Sequence, residues 1–161
     1  MLKIFSLLRP FFEDVYREIS VREYARLLKL SPPTAARILR ELEKESLLIS
    51  NKQGIYLFFR SQRENFLCQG LSRLYWQNKL FDITSNLHKQ ILFKRIVLFG
   101  SLSKAENYVD SDVDLYLDIE KREINTSDLE KELRREVQLH FKESLNNHNL
   151  KKNIEQGVRI R

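Results

Sequence analysis

The chain has 161 residues, room for one domain or two small ones. Hydrophobic residues make up 42% and charged residues 31%, a balance that fits a globular protein and argues against disorder, and 4 Gly with 3 Pro leave no long flexible linker. The net charge of +6 is uneven, with +4 over residues 1–61, +3 over 62–94 and −1 over 95–161, so the front of the chain is the part suited to a polyanion.

Residues 1–12 are apolar, which raises the question of a leader. Arg9 and Pro10 interrupt the run, no small-residue cleavage site follows, and a charged segment comes next. No stretch reaches the ~18 uncharged residues of a membrane span. The expected location is the cytoplasm, with no membrane partner. Cys68 is the only cysteine, so there is no internal disulfide and no Cys-x-x-Cys metal pair. His88, His140 and His148 lack zinc-like spacing.

A first helix is expected over residues 2–18. Ser20-Val21-Arg22-Glu23 has the form of a capping box. The helix it opens carries Val21, Tyr24, Ala25 and Leu28 on one apolar stripe. Ser31-Pro32-Pro33 ends one element and opens a third helix, expected over 31–46, with Ala35, Ile38, Leu39 and Leu42 inward. Its opposite face carries Thr34, Arg37, Glu41 and Lys44, with Arg40 beside it. Two strand-like runs follow, 47–50 and 55–59, joined by Asn51-Lys52-Gln53-Gly54.

Three helices and a β-hairpin in this order resemble a winged helix-turn-helix domain over residues 1–61. The resemblance implies that residues 31–46 form the recognition helix. Thr34, Arg37 and Arg40 would approach the major groove of duplex DNA, while Lys52 at the wing tip and Arg60 would meet phosphates. Glu41, Glu43 and Glu45 oppose DNA binding, but they lie toward the end that this motif points away from the bases. Winged-helix proteins often pair, so a homodimer is also implied. The other reading of this half is a module that packs against a protein partner.

Residues 62–94 read as a helical connector, one long helix and one short one. Phe66, Leu67, Leu71, Leu74 and Tyr75 are expected on its apolar face, with Trp76 and Phe81 adding to a core.

Residues 95–99, Arg-Ile-Val-Leu-Phe, form a short apolar run typical of a strand covered on both faces. The run stops at Gly100-Ser101, and 102–107 are expected to start a helix. Backbone N–H groups at such a turn can hold a phosphate. Residues 112–119 then alternate strictly. Val113, Leu115, Leu117 and Ile119 share one face, Asp112 and Asp114 the other, with Cα atoms about 6.5–7 Å apart. Two carboxylates on one strand edge repel unless a cation joins them. Magnesium favours one or two carboxylates completed by substrate phosphates.

Leu98-Phe99-Gly100-Ser101, a ten-residue spacer, then Asp110-Ser111-Asp112-Val113-Asp114-Leu115 resembles the minimal nucleotidyltransferases of the DNA polymerase beta superfamily. The resemblance covers residues 83–161. It implies that Gly100, Ser101 and Lys104 contact the triphosphate, and that Asp112 and Asp114 are catalytic and hold Mg2+ or Mn2+. The implied reaction is attack of a hydroxyl on the α-phosphate of a nucleoside triphosphate, ATP by expectation, with pyrophosphate leaving. Related members serve as antitoxins that modify a partner toxin, which implies a protein acceptor.

Two departures stand out. Lys104-Ala105 occupies the place where members often have Arg-Gly, and a lysine meets phosphate as a point charge rather than a fork. The family's third carboxylate falls on Gln138, in a strand expected over 136–141. Glu136 and His140 share its face and are the other candidates for that position. A final helix is expected over 144–156, and a short edge strand over 157–161.

The expected fold class is α+β: a winged helix over 1–61, a helical connector over 62–94, and a minimal nucleotidyltransferase fold over 95–161 with a small mixed sheet flanked by helices. The expected function is Mg-dependent transfer of AMP to a macromolecule by a DNA-binding protein. The alternatives are a DNA-binding regulator that binds nucleotide without catalysis, and an interaction module whose site has decayed.

Overall fold

The computed structural model describes residues 2–84 and 91–160. They divide into two compact units. The first is residues 1–72 with 105–109, and the second is 73–104 with 110–161. The segments expected from sequence, with boundaries near 61 and 94, are cut differently. One continuous helix begins in the first unit and ends in the second, and the loop 105–109 belongs with the first unit.

In the first unit, α1 (Lys3–Phe12) is shorter than the expected 2–18. It contains Pro10 and ends at Glu13. The Asp14 side chain then accepts from the Tyr16 N–H at 3.1 Å, a local turn that competes with helix. The strand β1 (Ile19–Ser20) leads into α2 (Val21–Leu28). Ser20 caps α2 by accepting from the Glu23 N–H, while the Glu23 carboxylate pairs with Arg17 instead of closing the capping box. The next helix, α3 (Pro32–Lys44), opens at Ser31, whose hydroxyl oxygen accepts from the Thr34 N–H. Ala35, Leu39 and Leu42 are buried as expected, and Ile38 is half-buried.

The strands β2 (Leu48–Gln53) and β3 (Tyr56–Ser61) pair antiparallel around Gly54-Ile55, and β1 adds to β3 to give the order β1-β3-β2. Phe5, Leu8, Phe11, Phe12, Tyr24 and Phe59 are among the buried side chains of this unit.

The long helix α4 (Phe66–Ile83) buries Cys68, Ser72, Tyr75, Trp76, Leu80 and Ile83, a stripe at helical spacing. Phe66, Leu67 and Leu74, expected on the buried face, are 89%, 56% and 52% exposed. The buried stripe runs instead through Cys68, Ser72, Tyr75 and Trp76. The short second helix expected in the connector falls largely on residues 85–90, outside the described residues. No helix among the described residues is long and apolar enough to cross a membrane.

The second unit is built on a four-stranded mixed sheet, ordered β6-β5-β4-β7. Its members are β4 (Ile96–Phe99), β5 (Val113–Leu117), β6 (Val137–His140) and β7 (Val158–Arg159). The central pair, β4 and β5, is antiparallel, while β6 runs parallel to β5. All four β4 residues are buried, as their continuous apolar run requires. A five-residue helix, α5 (Gly100–Lys104), follows β4 at once, and α6 (Ser127–Leu133) precedes β6. The expected helix over 144–156 is a 3-10 turn (Lys142–Asn146) followed by α7 (His148–Glu155), because the Asn147 side chain starts a new helix by accepting from the Leu150 N–H.

Candidate functional site

The site lies on the face of β5 that carries Asp112 and Asp114. Val113, Leu115 and Leu117 point the other way and are buried, which fixes the register and so the carboxylates. Antiparallel pairing sets Phe99 opposite Asp114. The chain therefore leaves β4 at Gly100 directly beside the Asp114 side chain. Gly100 has φ +73°, a left-handed conformation. A methyl group there would overlap Oδ2 of Asp114 and stand 3.2 Å from its Cγ. Only glycine allows both this turn and this approach.

From the other side, β6 runs parallel to β5, with Gln138 level with Asp114 and His140 level with Tyr116. The Gln138 amide Nε2 donates to Asp112 Oδ2 at 2.6 Å. His140 Nε2 lies 3.3 Å from Asp114 Oδ1, and its ring meets Phe99 edge to face at 4.9 Å. Each carboxylate is thus met by a side chain of β6, an amide at Asp112 and an imidazole at Asp114. Glu136 is exposed and contributes its backbone carbonyl, which accepts from the Val113 N–H at 2.8 Å.

Supporting contacts fix the approach to the site. Arg135 donates from Nη1 to the Ser111 carbonyl at 2.6 Å, just before Asp112. Ser103 Oγ donates to the Gly100 carbonyl at 2.8 Å, and Arg73 Nε donates to the Ser103 carbonyl at 2.8 Å. Lys104 Nζ donates to Asn153 Oδ1 at 3.1 Å. Asn153 sits on α7 and Arg73 on α4. Both reach the site across 30 or more residues of sequence, a separation that local patterns do not report. Farther along the same sheet face, Val97, Phe99, Tyr116 and Ile154 form an apolar cluster covered by Leu145 and Leu150.

The structure brings Gly100, Asp112, Asp114, Gln138 and His140 together. Ser101 follows Gly100 in the first turn of α5, and Lys104 ends that helix. Among the described residues no three His, Cys, Asp or Glu side chains converge as a ready-made metal cage. Asp112 and Asp114 are both half-buried and stand as a pair beside Gly100.

In the first unit, the residues sought for DNA contact occupy α3 and the hairpin. Arg37 pairs with Glu41 at 2.7 Å and Arg40 with Glu43 at 2.8 Å, all on the exposed surface of α3. Thr34 Oγ1 lies 2.8 Å from Ser31 Oγ, within the helix cap. Lys52 is exposed near the hairpin turn.

Residues 78–160, just over half of the chain, match the family described as Nucleotidyltransferase domain. No curated protein and no solved structure matches the chain.

Proposed function

This chain belongs to the nucleotidyltransferase domain family, and on that premise we propose that it moves AMP from ATP to a macromolecular acceptor in a Mg2+-dependent reaction. The observation that carries the reading is the pair Asp112 and Asp114 on one face of β5, with Gly100 packed against Asp114. The donor set fits one divalent cation. Two carboxylates stand on one strand edge, and Gly100 lets the Asp114 carboxylate occupy the place that any other side chain would take. A cation bound by Asp112 and Asp114 supplies positive charge against the triphosphate oxygens.

The remaining work falls to this chain's own residues. Gly100 and Ser101 offer backbone N–H groups to the triphosphate, and Lys104, steadied by Asn153, offers a cation to it. The acceptor hydroxyl oxygen bonds to the α-phosphorus, the bond from that phosphorus to the bridging oxygen breaks, and pyrophosphate leaves. Gln138 cannot take the hydroxyl proton. His140, on the same face of β6, is the group that can. The proposed acceptor is a protein, in a toxin–antitoxin setting, and the proposed location is the cytoplasm.

We further propose that residues 1–61 are a winged helix that binds duplex DNA through Thr34, Arg37, Arg40 and Lys52. The ion pairs on α3 do not forbid this. Exposed pairs at such spacing contribute about 0.3–0.5 kcal/mol, which a phosphate contact readily replaces.

A second reading is favoured by one observation, the Gln138 amide that donates to Asp112. It makes the protein a DNA-binding regulator that holds nucleotide without transferring it. ATP labelled on the α-phosphate separates the two. Label transferred by the native protein and abolished by Asp112→Ala establishes the enzyme. A silent native protein that Gln138→Asp activates establishes the regulator. Absence of both transfer and nucleotide binding refutes both readings.

A further inference from the structure

We infer that the protein acceptor docks as an extended peptide, added as a fifth strand along the free edge of β6. One apolar side chain of that peptide fills a groove on one face of the sheet. Its neighbour presents a hydroxyl on the other face, beside Asp112 and Asp114. The inference rests on the transfer reading above, and every residue it uses lies in the second unit.

β6 stands at the end of the sheet and pairs with β5. In a parallel pair the backbone groups of alternate residues turn to the partner strand. The Glu136 carbonyl accepts from the Val113 N–H at 2.8 Å, so with this register Glu136, Gln138 and His140 turn to β5. Val137 and Leu139 turn outward. The Val137 N–H is capped, since Glu130 Oε1 accepts from it at 3.2 Å. Just past the strand, Ser144 Oγ accepts from the Phe141 N–H at 3.3 Å. Leu139 lies between these two caps, and among the described residues its N–H and carbonyl have no hydrogen-bond partner. An edge closed on both sides and open at one residue is a template for a short strand. In antiparallel addition a single peptide residue exchanges both bonds with Leu139.

The two faces beside this edge differ. Val137, Leu139 and Phe141 line an open groove of about 640 Å3, and Ile124 lines it from the loop before α6. Gln138 and His140 stand on the opposite face, against Asp112 and Asp114. Side chains of an added strand alternate between the same two faces. The peptide residue opposite Leu139 therefore sends its side chain into the groove, where an apolar one fits. The residue before it stands opposite His140 on the site face, where the hydroxyl is required. The residue after it stands opposite Gln138, close to Asp112 and the exposed Glu136, where a basic side chain is complementary. The next returns to the groove opposite Val137. The acceptor pattern is thus hydroxyl, apolar, basic, apolar. The bonds made and broken in transfer are those given above.

The test uses the full chain with Mg2+, ATP labelled on the α-phosphate, and two fluorescent peptides, Lys-Tyr-Val-Lys-Val-Lys and Lys-Thr-Val-Lys-Val-Lys. Anisotropy reads peptide binding, titration calorimetry reads ATP binding, and label on the peptide reads transfer. Methylating the backbone nitrogen of the first valine removes the donor to the Leu139 carbonyl. It is expected to weaken binding and transfer about tenfold, the loss of one hydrogen bond. Leu139→Pro removes the donor on the edge itself, at an outward-facing N–H where a strand tolerates proline. It is expected to weaken both to a similar extent, with ATP affinity unchanged. The methylated peptide keeps the test decisive if Leu139→Pro fails to fold. Peptide binding that neither change weakens overturns strand addition. ATP binding with no peptide binding overturns it as well, and a dimer that Leu139→Pro splits would give the edge to a second copy of this chain. Peptide bound but unlabelled beside bound ATP overturns its role as acceptor. No ATP binding overturns the transfer reading, and the acceptor role with it.

Discussion

Replacing Gly100 with alanine adds one carbon at the point where β4 meets the Asp114 carboxylate. Two costs follow. A left-handed φ of +73° costs an L residue about 1–2 kcal/mol. The new methyl also overlaps Asp114 Oδ2, so the carboxylate must turn away from its place beside His140. Gly54→Ala provides the comparison. Gly54 has φ +61° and nothing within 4 Å of an added methyl, so it bears the first cost without the second. Trp76, the only tryptophan and fully buried, reports unfolding of the second unit by fluorescence. Labelling of Cys68 reports the first unit. Gly54→Ala is expected to lose about 1–2 kcal/mol in the first unit, and Gly100→Ala to lose more than that in the second. Only Gly100→Ala is expected to weaken Mg-ATP binding, by about tenfold or more, equivalent to roughly 1.4 kcal/mol. Native affinity in Gly100→Ala would refute the claim that the approach of Gly100 to Asp114 shapes the nucleotide site.

Tyr24 is fully buried, its hydroxyl donates to the Leu7 carbonyl at 2.9 Å, and burial pushes its phenol far up. A raised value favours the protonated form in the folded state. Its contribution is therefore intact below about pH 10 and is lost above it, as the unfolded chain ionises first, by up to about 1.4 kcal/mol per pH unit. Denaturation of Tyr24→Phe between pH 9 and 11 should lack this component and show a loss of about 0.5–1.5 kcal/mol at neutral pH from the missing hydrogen bond. Cys68 lies against Leu47 and Ser61, and burial raises its thiol pKa although the Ser61 hydroxyl opposes the shift. Its reaction with a thiol reagent should follow opening of the first unit, and fast labelling of the native protein would contradict that burial. For DNA, a duplex shift that weakens with salt and disappears in the Arg37→Ala/Arg40→Ala double variant is expected. No shift at low salt would refute the DNA-binding proposal.

Much of the site was legible because its signals are local. The run of apolar residues at β4 has the pattern of a covered strand, and Gly100-Ser101 at its end that of a turn into a helix, a weak signal until the aspartate pair follows it. Strict alternation from Asp112 put both carboxylates on one face before any partner strand was known. Alternation also puts Gln138 and His140 on one face of their strand, and their side chains lie against Asp112 and Asp114. The partners they chose were not readable. Which carboxylate each reaches depends on the stagger between β5 and β6. Helix ends were less legible where side chains compete for backbone groups: Asp14 and Asn147 ended or restarted helices that periodicity alone would have continued.

The sequence by itself determined which residues could do chemistry here: a glycine that tolerates a left-handed turn, two aspartates two residues apart, and an amide where an acid was expected. Those properties belong to single side chains and to the period of a strand, so neighbours far along the chain cannot change them. The tertiary structure decided what those residues touch. Asn153 reached Lys104, the buried stripe of α4 moved off Phe66, Leu67 and Leu74, and residues 105–109 joined the first unit. Each of these depends on contacts between segments distant in sequence, whose free energies are settled only when the whole chain packs.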